Sequence, residues 1–218
     1  GGDSNGDGEA TRPAPGDWKN IHIAGTATLT HVHAMYAAPV NESGILQTAG
    51  TGVLNMDNCI VSHAQFDGLW NWGGTIVARN SMITDVGLGA APYRGNSSFI
   101  NCVFNDLSYI CMYWLGWSGG ASFKNCSFSR ITQNWMDLNG NPSPSPTFNY
   151  CAFWNPSGVG SQSNTQVGAN GNIWGDPRFV DAPNGDFRLL AGSPFIDAGD
   201  GTVAPERDYF GQPRMDVA

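Results

Sequence analysis

A short pattern of apolar and polar residues recurs down the middle of the chain. Each copy places a largely apolar residue two positions before an Asn, a small residue directly after it, and another apolar residue at the third position. The copies are 56–61, 78–83, 99–104, 123–128 and 148–153, and the last carries Tyr150 in place of Asn. They lie 21 to 25 residues apart with no helical periodicity between them. Such a repeat predicts an all-β solenoid.

The two apolar positions that flank the Asn have opposite parity, so in one straight strand they would face opposite sides of the sheet. A bend at the Asn resolves this conflict, because Asn tolerates the left-handed backbone conformation better than most residues. Rungs stacked about 4.8 Å apart would then place Asn58, Asn80, Asn101 and Asn125 in a ladder whose amides can hydrogen-bond to one another. A partial copy at 29–33 puts His31 at the Asn position.

The position after the bend carries a small side chain that should point inwards. Its occupants are Cys59, Ser81, Cys102, Cys126 and Cys151. Stacked cysteines would have parallel Cβ directions, which is poor disulfide geometry, so we expect buried free thiols. The cysteines also lack the spacing of a zinc site.

The third strand of each rung, which follows the bend and a turn, carries several Trp and Tyr residues. If Leu69, Leu88, Ile110, Met112, Met136 and Leu138 point inwards, then Trp70, Trp72, Tyr113, Trp135 and Asp137 point outwards. Trp114 and Trp117 lie in a neighbouring turn, and Tyr93 precedes Arg94. An exposed aromatic patch of this kind indicates a binding surface. The predicted ligand-contacting residues are Trp70, Trp72, Tyr93, Tyr113, Trp114, Trp117 and Trp135. The alternative is that these rings pack under neighbouring loops or against another domain.

Oxygen-bearing side chains alternate near the start of the chain and match half of a calcium loop. The predicted ligands of a structural Ca²⁺ are Asp3, Asn5, Asp7, Glu9 and Asp17. Asp17 stands in for the usual Glu at loop position 12, which is Ala14 here. The alternative is a solvated acidic loop. We expect His22, His31 and His33 to be structural or surface residues, because no carboxylate is spaced to complete a metal site with them.

Composition narrows the class of protein and of partner. The sequence contains 29 glycines and 13 prolines, and only 13% of its residues are charged, which is typical of a turn-rich β protein. Hydrophobic residues make up 41% of the chain, which argues against disorder. The net charge of −8 and the absence of a basic stripe argue against nucleic acid or an anionic membrane as partners. No apolar stretch is long enough to span a bilayer.

We expect a mature or trimmed fragment with a polar loop at 1–17, a solenoid at 18–170 and a capping region at 171–218.

The C-terminal region carries motifs that resemble a known group. They are Gly171-Asn172-Ile173, Asp176-Pro177, Phe179-Val180, Ser193-Pro194, Ile196-Asp197-Ala198-Gly199 and Arg214. With the repeats, this region resembles bacterial extracellular parallel β-helix proteins of the pectate-lyase-like superfamily, of the choice-of-anchor Q type. The resemblance implies a right-handed parallel β-helix of about six rungs with an irregular C-terminal cap, in a protein located outside the cell or at its surface.

The resemblance does not fix an activity, because the group includes polysaccharide lyases, hydrolases and proteins without known chemistry. We therefore keep three hypotheses. The first is a non-catalytic module that binds a polysaccharide or surface glycan, or is adhesive, through the aromatic face. The second is a lyase or hydrolase in the same groove, with Arg94 and Asp137 as candidate catalytic residues and Asp85 and Asp106 as further carboxylates. The third is a structural segment that associates end to end or with neighbouring domains.

Overall fold

The structure, a computed structural model, describes residues 8, 10–40, 43–113, 118–133, 136–138, 145–157 and 166–214, and the side chains of all of these except 111–113 and 136–138. In this part the chain is all-β and forms a parallel β-solenoid of about five turns. The predicted fold class is confirmed, and the number of turns is close to the expected six. The described residues contain no α-helix, only a 3₁₀ turn at Ala182–Asn184.

In the described part of the chain, nineteen strands build the solenoid and its C-terminal region. They are β1 Ile21–Ile23, β2 Thr26–Thr30, β3 His33–Met35, β4 Gly44–Thr48, β5 Val53–Asp57, β6 Ile60–Ser62, β7 Asp67–Asn71, β8 Thr75–Arg79, β9 Met82–Pro92, β10 Asn96–Ile100, β11 Val103–Tyr113, β12 Gly120–Lys124, β13 Ser127–Ile131, β14 Met136–Leu138, β15 Thr147–Asn149, β16 Ala152–Trp154, β17 Ile173–Trp174, β18 Phe179–Asp181 and β19 Asp186–Leu189.

The strands line three faces of the solenoid. The first face is a six-stranded parallel sheet in the order β15-β12-β10-β8-β5-β2. The second and third faces are joined in one eleven-stranded sheet, because β9 and β11 each run through the bend between them. The described residues contain no helix long and apolar enough to cross a membrane.

A left-handed bend joins the first face to the second in every turn, as the sequence pattern predicts. The bend residues have φ between 47° and 56°, and they are His31, Asn58, Asn80, Asn101, Asn125 and Tyr150. Strand register stacks them in one column, which we call the first-bend column. Their backbones are paired across rungs; for example, the Asn101 N–H donates to the Lys124 carbonyl at 3.0 Å. The predicted stacking is confirmed, but the amides of the described residues do not hydrogen-bond to one another as expected. Asn58 contacts His31, Asn80 donates to the Arg207 carbonyl, and Asn125 pairs with Asp200.

A second left-handed bend, which the pattern analysis missed, follows five residues after the first. Its residues have φ between 53° and 65°, and they are Tyr36, His63, Asp85, Asp106 and Arg130. We call them the second-bend column. The residue types differ from rung to rung, so no motif marks the position. The spacing from the first bend is nevertheless constant, and that spacing is the signal from which the second bend could have been found.

Two columns of phenylalanine fill the centre of the solenoid. Phe99, Phe123 and Phe148 stack at 5.0 and 4.8 Å between ring centroids, and each is less than 2% exposed. Phe104, Phe128 and Phe153 stack at 5.1 Å in a second column against the first. Each buried ring contributes about 1.5–3 kcal/mol relative to exposure. The bend lets both flanking positions of the repeat reach this core.

The C-terminal region first extends the solenoid and then returns along its side. Strand β17 pairs with β16 at the end of the larger sheet, and β18 and β19 form an antiparallel pair. Further on, Asp200 hydrogen-bonds to Asn125, and the Arg207 carbonyl accepts from Asn80. Beyond β19 the tail therefore lies along the first-bend column, and the assignment of 171–218 as a capping region stays a prediction.

Candidate functional site

Trp72 and Tyr93 occupy equivalent turns on neighbouring rungs, immediately before strands β8 and β10. Their rings stack with centroids 4.5 Å apart and planes inclined by 22°. The Arg94 guanidinium lies 4.9 Å from the centre of the Tyr93 ring, a cation–π distance. Trp72 remains 42% exposed. We call these three residues the aromatic ridge; it lies along the corner between the third face and the first.

A buried polar network supports the turns beneath the aromatic ridge. The Thr48 hydroxyl donates to Asn71 Oδ1 at 2.8 Å, and Asn71 Nδ2 donates to the Ser97 hydroxyl at 3.1 Å and to the Asn96 carbonyl at 3.0 Å. Asn71 is buried directly before Trp72. Because satisfied buried polar groups rigidify their surroundings, this network holds the ridge in place.

Two glycines allow the rungs to approach closely at these turns. Gly74 has φ +87°, and a Cβ there would lie 2.0 Å from the Gly52 carbonyl oxygen. A Cβ on Gly95 would lie 2.0 Å from Asn71 Oδ1. A side chain at either position would collide with its neighbour, so both turns require glycine there.

A shallow depression of about 340 Å³ lies on the first face, where the strands follow the ridge turns. Its polar side chains are hydroxyls and one amide, and they come from Thr75, Asn96, Ser97, Ser98, Ser122, Ser145 and Thr147. Among the residues that the structure describes, no charged side chain lines it. The depression is an uncharged and mainly apolar surface beside the aromatic ridge, on which Arg94 carries a positive charge.

Trp70 differs from the expectation of an outward, accessible ring. It is 3% exposed and packs with Leu88 and Ala91, and Tyr109 packs against this cluster. The ring does lie outside the central core, but the next rung covers it. Leu88, which was expected to point into the core, belongs to this outer cluster instead.

The other predicted ligand-contacting residues cannot be placed in the site. Trp114, Trp117 and Trp135 lie outside the described residues. Tyr113 ends strand β11, but its side chain lies outside the described part of the structure. Of the predicted set, the described residues bring together Trp72 and Tyr93, with Arg94 beside them and the buried Trp70 ring 6.5 Å from that of Trp72.

The candidate catalytic groups do not converge in the described residues. Arg94 lies against Tyr93, and Asp137 is in strand β14, with a side chain outside the described part. Asp85 and Asp106 are second-bend residues, at a different corner of the solenoid from the ridge. His63 Nε2 lies 3.6 Å from the Asp85 carboxylate, and Asp106 accepts hydrogen bonds from Arg130 and Asn105.

Most of the predicted calcium ligands lie outside the described residues; these are Asp3, Asn5, Asp7 and Glu9. Asp17 is described, and its Oδ2 accepts the Ala14 N–H at 2.8 Å within a turn. Across the described ranges, no three His, Cys, Asp or Glu side chains are grouped so that they could hold a metal ion.

The thiols next to the first bends are free and buried, as predicted for Cys59, Cys102, Cys126 and Cys151. Cys126 Sγ donates to the Phe99 and Lys124 carbonyls at 3.5 and 3.3 Å. Burial raises the pKa of the Cys126 thiol well above its ordinary value, and burial also raises the pKa of Cys59. Because the thiolate is the reactive form, a raised pKa makes Cys59 and Cys126 poor nucleophiles. All four thiols are buried and pack in the core.

No protein-family model, no curated protein and no solved structure matches the chain. The site therefore has to be interpreted from its own geometry.

Proposed function

We propose that the protein is a non-catalytic, extracellular or cell-surface module that binds a neutral glycan on the aromatic ridge and the adjoining depression. The observation that carries this proposal is the exposed Trp72, which lies beside a mainly apolar depression whose polar side chains are hydroxyls and one amide. Indole and phenol rings offer apolar surface for the C–H groups of a sugar ring. Ser, Thr and Asn side chains can donate to and accept from its hydroxyls.

The dimensions of the surface favour an oligosaccharide over a single sugar. The depression extends from β8 across β10 and β12 to β15. Four strands spaced about 4.8 Å apart cover about 14 Å. The absence of charge among its lining residues favours a neutral ligand over a uronate. A lyase acting on uronates needs basic groups at the carboxylate and a base for the adjacent proton. The described lining of the depression supplies neither, and Arg94 is a basic group on the adjacent ridge.

The resemblance to the pectate-lyase-like superfamily, with a choice-of-anchor Q type tail, belongs to the same proposal. The parallel solenoid supports it at the level of architecture, and the tail motifs support it in sequence alone. Such an assignment places the module at a bacterial surface.

A structural Ca²⁺ in the N-terminal loop is part of the proposal as well. It predicts that a chelator lowers the melting temperature, and an unchanged melt would argue against the ion.

A glycan array of neutral and uronate polysaccharides tests the binding proposal. We expect binding to neutral glycans, and Trp72→Ala should weaken it by about tenfold or more, equivalent to about 1.4 kcal/mol. Phe210→Ala is a matched control, because Phe210 is a similarly exposed ring on the tail. Absence of any ligand, or equal binding by both variants, would refute the proposal. Release of oligosaccharide products would point to the hydrolase or lyase hypothesis instead.

End-to-end association is a second candidate function. Strand β1 pairs with β4 and strand β2 pairs with β5, and the other edge of each is unpaired by any strand in the described part of the chain. Open edges can template pairing with another chain. Light scattering after size exclusion tests this: a mass that rises with concentration supports stacking, and a constant monomer mass contradicts it.

A further inference from the structure

The outer side of the first face carries small side chains in regular columns. Core residues such as Leu54, Ile76 and Phe99 point inwards from its strands, so the residues that alternate with them point outwards. Strand register aligns the outward residues along the solenoid axis. One column is Thr28, Asn55, Val77, Ser98, Ser122 and Thr147, and the next is Thr26, Val53, Thr75, Asn96 and Gly120. We call these two columns the outer array; it contains no charged residue.

The outer array is open to solvent. All of its members except Gly120 are exposed or half-buried. In the described part of the chain, its hydroxyl and amide side chains make no hydrogen bonds to other residues. Each hydroxyl or amide can both donate and accept. The face therefore presents unused hydrogen-bonding groups, with the methyl groups of Thr and Val between them, to any ligand that lies on it.

The outer array has no walls, because its side chains are small. The depression of about 340 Å³ is shallow and takes in only the last four rungs. Pockets for small ligands typically bury about 70–90% of the ligand surface, whereas a single sugar chain on this face is contacted from one side. Many weak contacts made at the same time can supply the missing affinity. An extended, planar ligand is the kind that makes them all at once.

The backbone sets the spacing of these contacts in two directions. Along the solenoid axis the outward residues follow one another about every 4.8 Å, and within a strand they lie about 6.6 Å apart. The six rungs from β2 to β15 cover about 24 Å. Polar and methyl groups thus repeat in two dimensions. Hydroxyl and C–H groups repeat in the same way on a surface built of parallel polysaccharide chains.

The borders of the outer array favour a neutral ligand. The aromatic ridge lies along one side, in the turns before β8 and β10. Charged residues stand on the other side, in the column next to the first bends, where Asp57 pairs in register with Arg79 and Lys124 follows two rungs later. A neutral ligand can cover the array without burying a charge.

We propose that the outer array binds the ordered surface of an insoluble neutral polysaccharide, in which parallel chains lie side by side. This inference rests on the proposed glycan binding and specifies the physical state of the glycan. The Ser, Thr and Asn side chains exchange hydrogen bonds with sugar hydroxyls, and the Val53 and Val77 methyl groups contact sugar C–H groups. Trp72 adds ring contact at the border.

A depletion assay on the whole chain tests the proposal, with powders of microcrystalline cellulose, chitin, mannan and β-1,3-glucan as probes. We expect at least one powder to remove the protein from solution. The soluble hexasaccharide of the same sugar should compete poorly, because one chain covers only part of the array. Tighter or equal binding of the hexasaccharide would overturn the inference. So would failure of all four powders beside a positive glycan array, and the glycan proposal would then stand. Absence of binding to every glycan, soluble or insoluble, would refute both.

Two arginine substitutions localise the contact. Thr28 belongs to the outer array but lies outside the depression. Thr28→Arg should weaken powder binding by about tenfold or more, because the long side chain lifts part of a planar ligand off the array. Binding of a soluble hexasaccharide should stay unchanged. Ser157→Arg is the matched control, because Ser157 is also exposed but follows β16 of the larger sheet. Equal powder binding by the two variants would contradict the assignment. The competition experiment on the unmodified protein decides the question even if a variant folds poorly.

Discussion

The two bend columns of the solenoid use the same backbone conformation with different side chains. The first-bend column is dominated by uncharged amides, and the tail lies across its middle rungs. The second-bend column carries His63, Asp85, Asp106 and Arg130, which are half-buried or exposed and paired across rungs. Both corners require a residue in the left-handed backbone conformation, and whether the corner is covered or faces solvent decides which residue type occupies it. Amides can be covered without burying a charge, whereas charged groups suit a corner that faces solvent.

The largest effect should come from a first-bend residue that holds the tail. Asn125→Ala removes two hydrogen bonds and places Ala in a left-handed conformation, at a combined cost of about 2–4 kcal/mol in the free energy of unfolding. Asn125→Gly should cost less, because glycine accepts that conformation. Urea unfolding measures both. If Arg130→Ala on the second-bend column costs as much as Asn125→Ala, the contrast between the columns is wrong.

A smaller loss is expected just inside the second bend, where Asn105 is buried. The Ser129 hydroxyl donates to Asn105 Oδ1 at 2.7 Å. Asn105→Ala leaves that hydroxyl buried without its acceptor, which should cost about 1–3 kcal/mol of unfolding free energy. The double variant Asn105→Ala/Ser129→Ala should recover part of this loss. Strict additivity of the two single variants in urea unfolding would show that the pair is not coupled.

The charged second-bend residues themselves should contribute little. Asp106→Asn keeps a residue that tolerates the left-handed conformation and removes the ion pair with Arg130. We expect a loss of less than about 1 kcal/mol, which disappears at about 1 M salt because both side chains are partly exposed. A loss that persists at high salt would indicate a structural role beyond the ion pair.

The smallest effect is a local response of the tail to acid. Hydrogen bonds from Thr202, first from its hydroxyl and then from its N–H, hold the pKa of the Asp200 carboxyl below its ordinary value. A depressed folded-state pKa contributes stability above the unfolded value of about 3.9, and that contribution is lost as the pH falls through the lower, folded-state pKa. The hydrogen-exchange protection of the Asp200 N–H should therefore decrease below about pH 4. Asp200→Asn should lack this dependence, and the same acid response in that variant would exclude Asp200 as its source.

The repeat predicted the first bend because its two apolar positions would face opposite sides of the sheet in a straight strand. Apolar residues at Phe99 and Phe104 cannot share a core without a turn at Asn101. The second bend was missed because its residues share a conformation and not a chemical type. The burial of Trp70 depends on Leu88 and Ala91 of the next rung, which alternation within one strand cannot reveal. The path of the tail rests on contacts such as that between Asn125 and Asp200, 75 residues apart, for which no local pattern exists.

The tail also changes how the solenoid should come apart. In a simple repeat array each rung contacts its neighbours alone, so opening can begin at an end and proceed rung by rung. Here one segment is fastened at Asn80 and again at Asn125, with the rung of Asn101 between them. That middle rung cannot fray while both attachments remain. The three rungs should therefore open as one cooperative unit, with similar hydrogen-exchange rates across them.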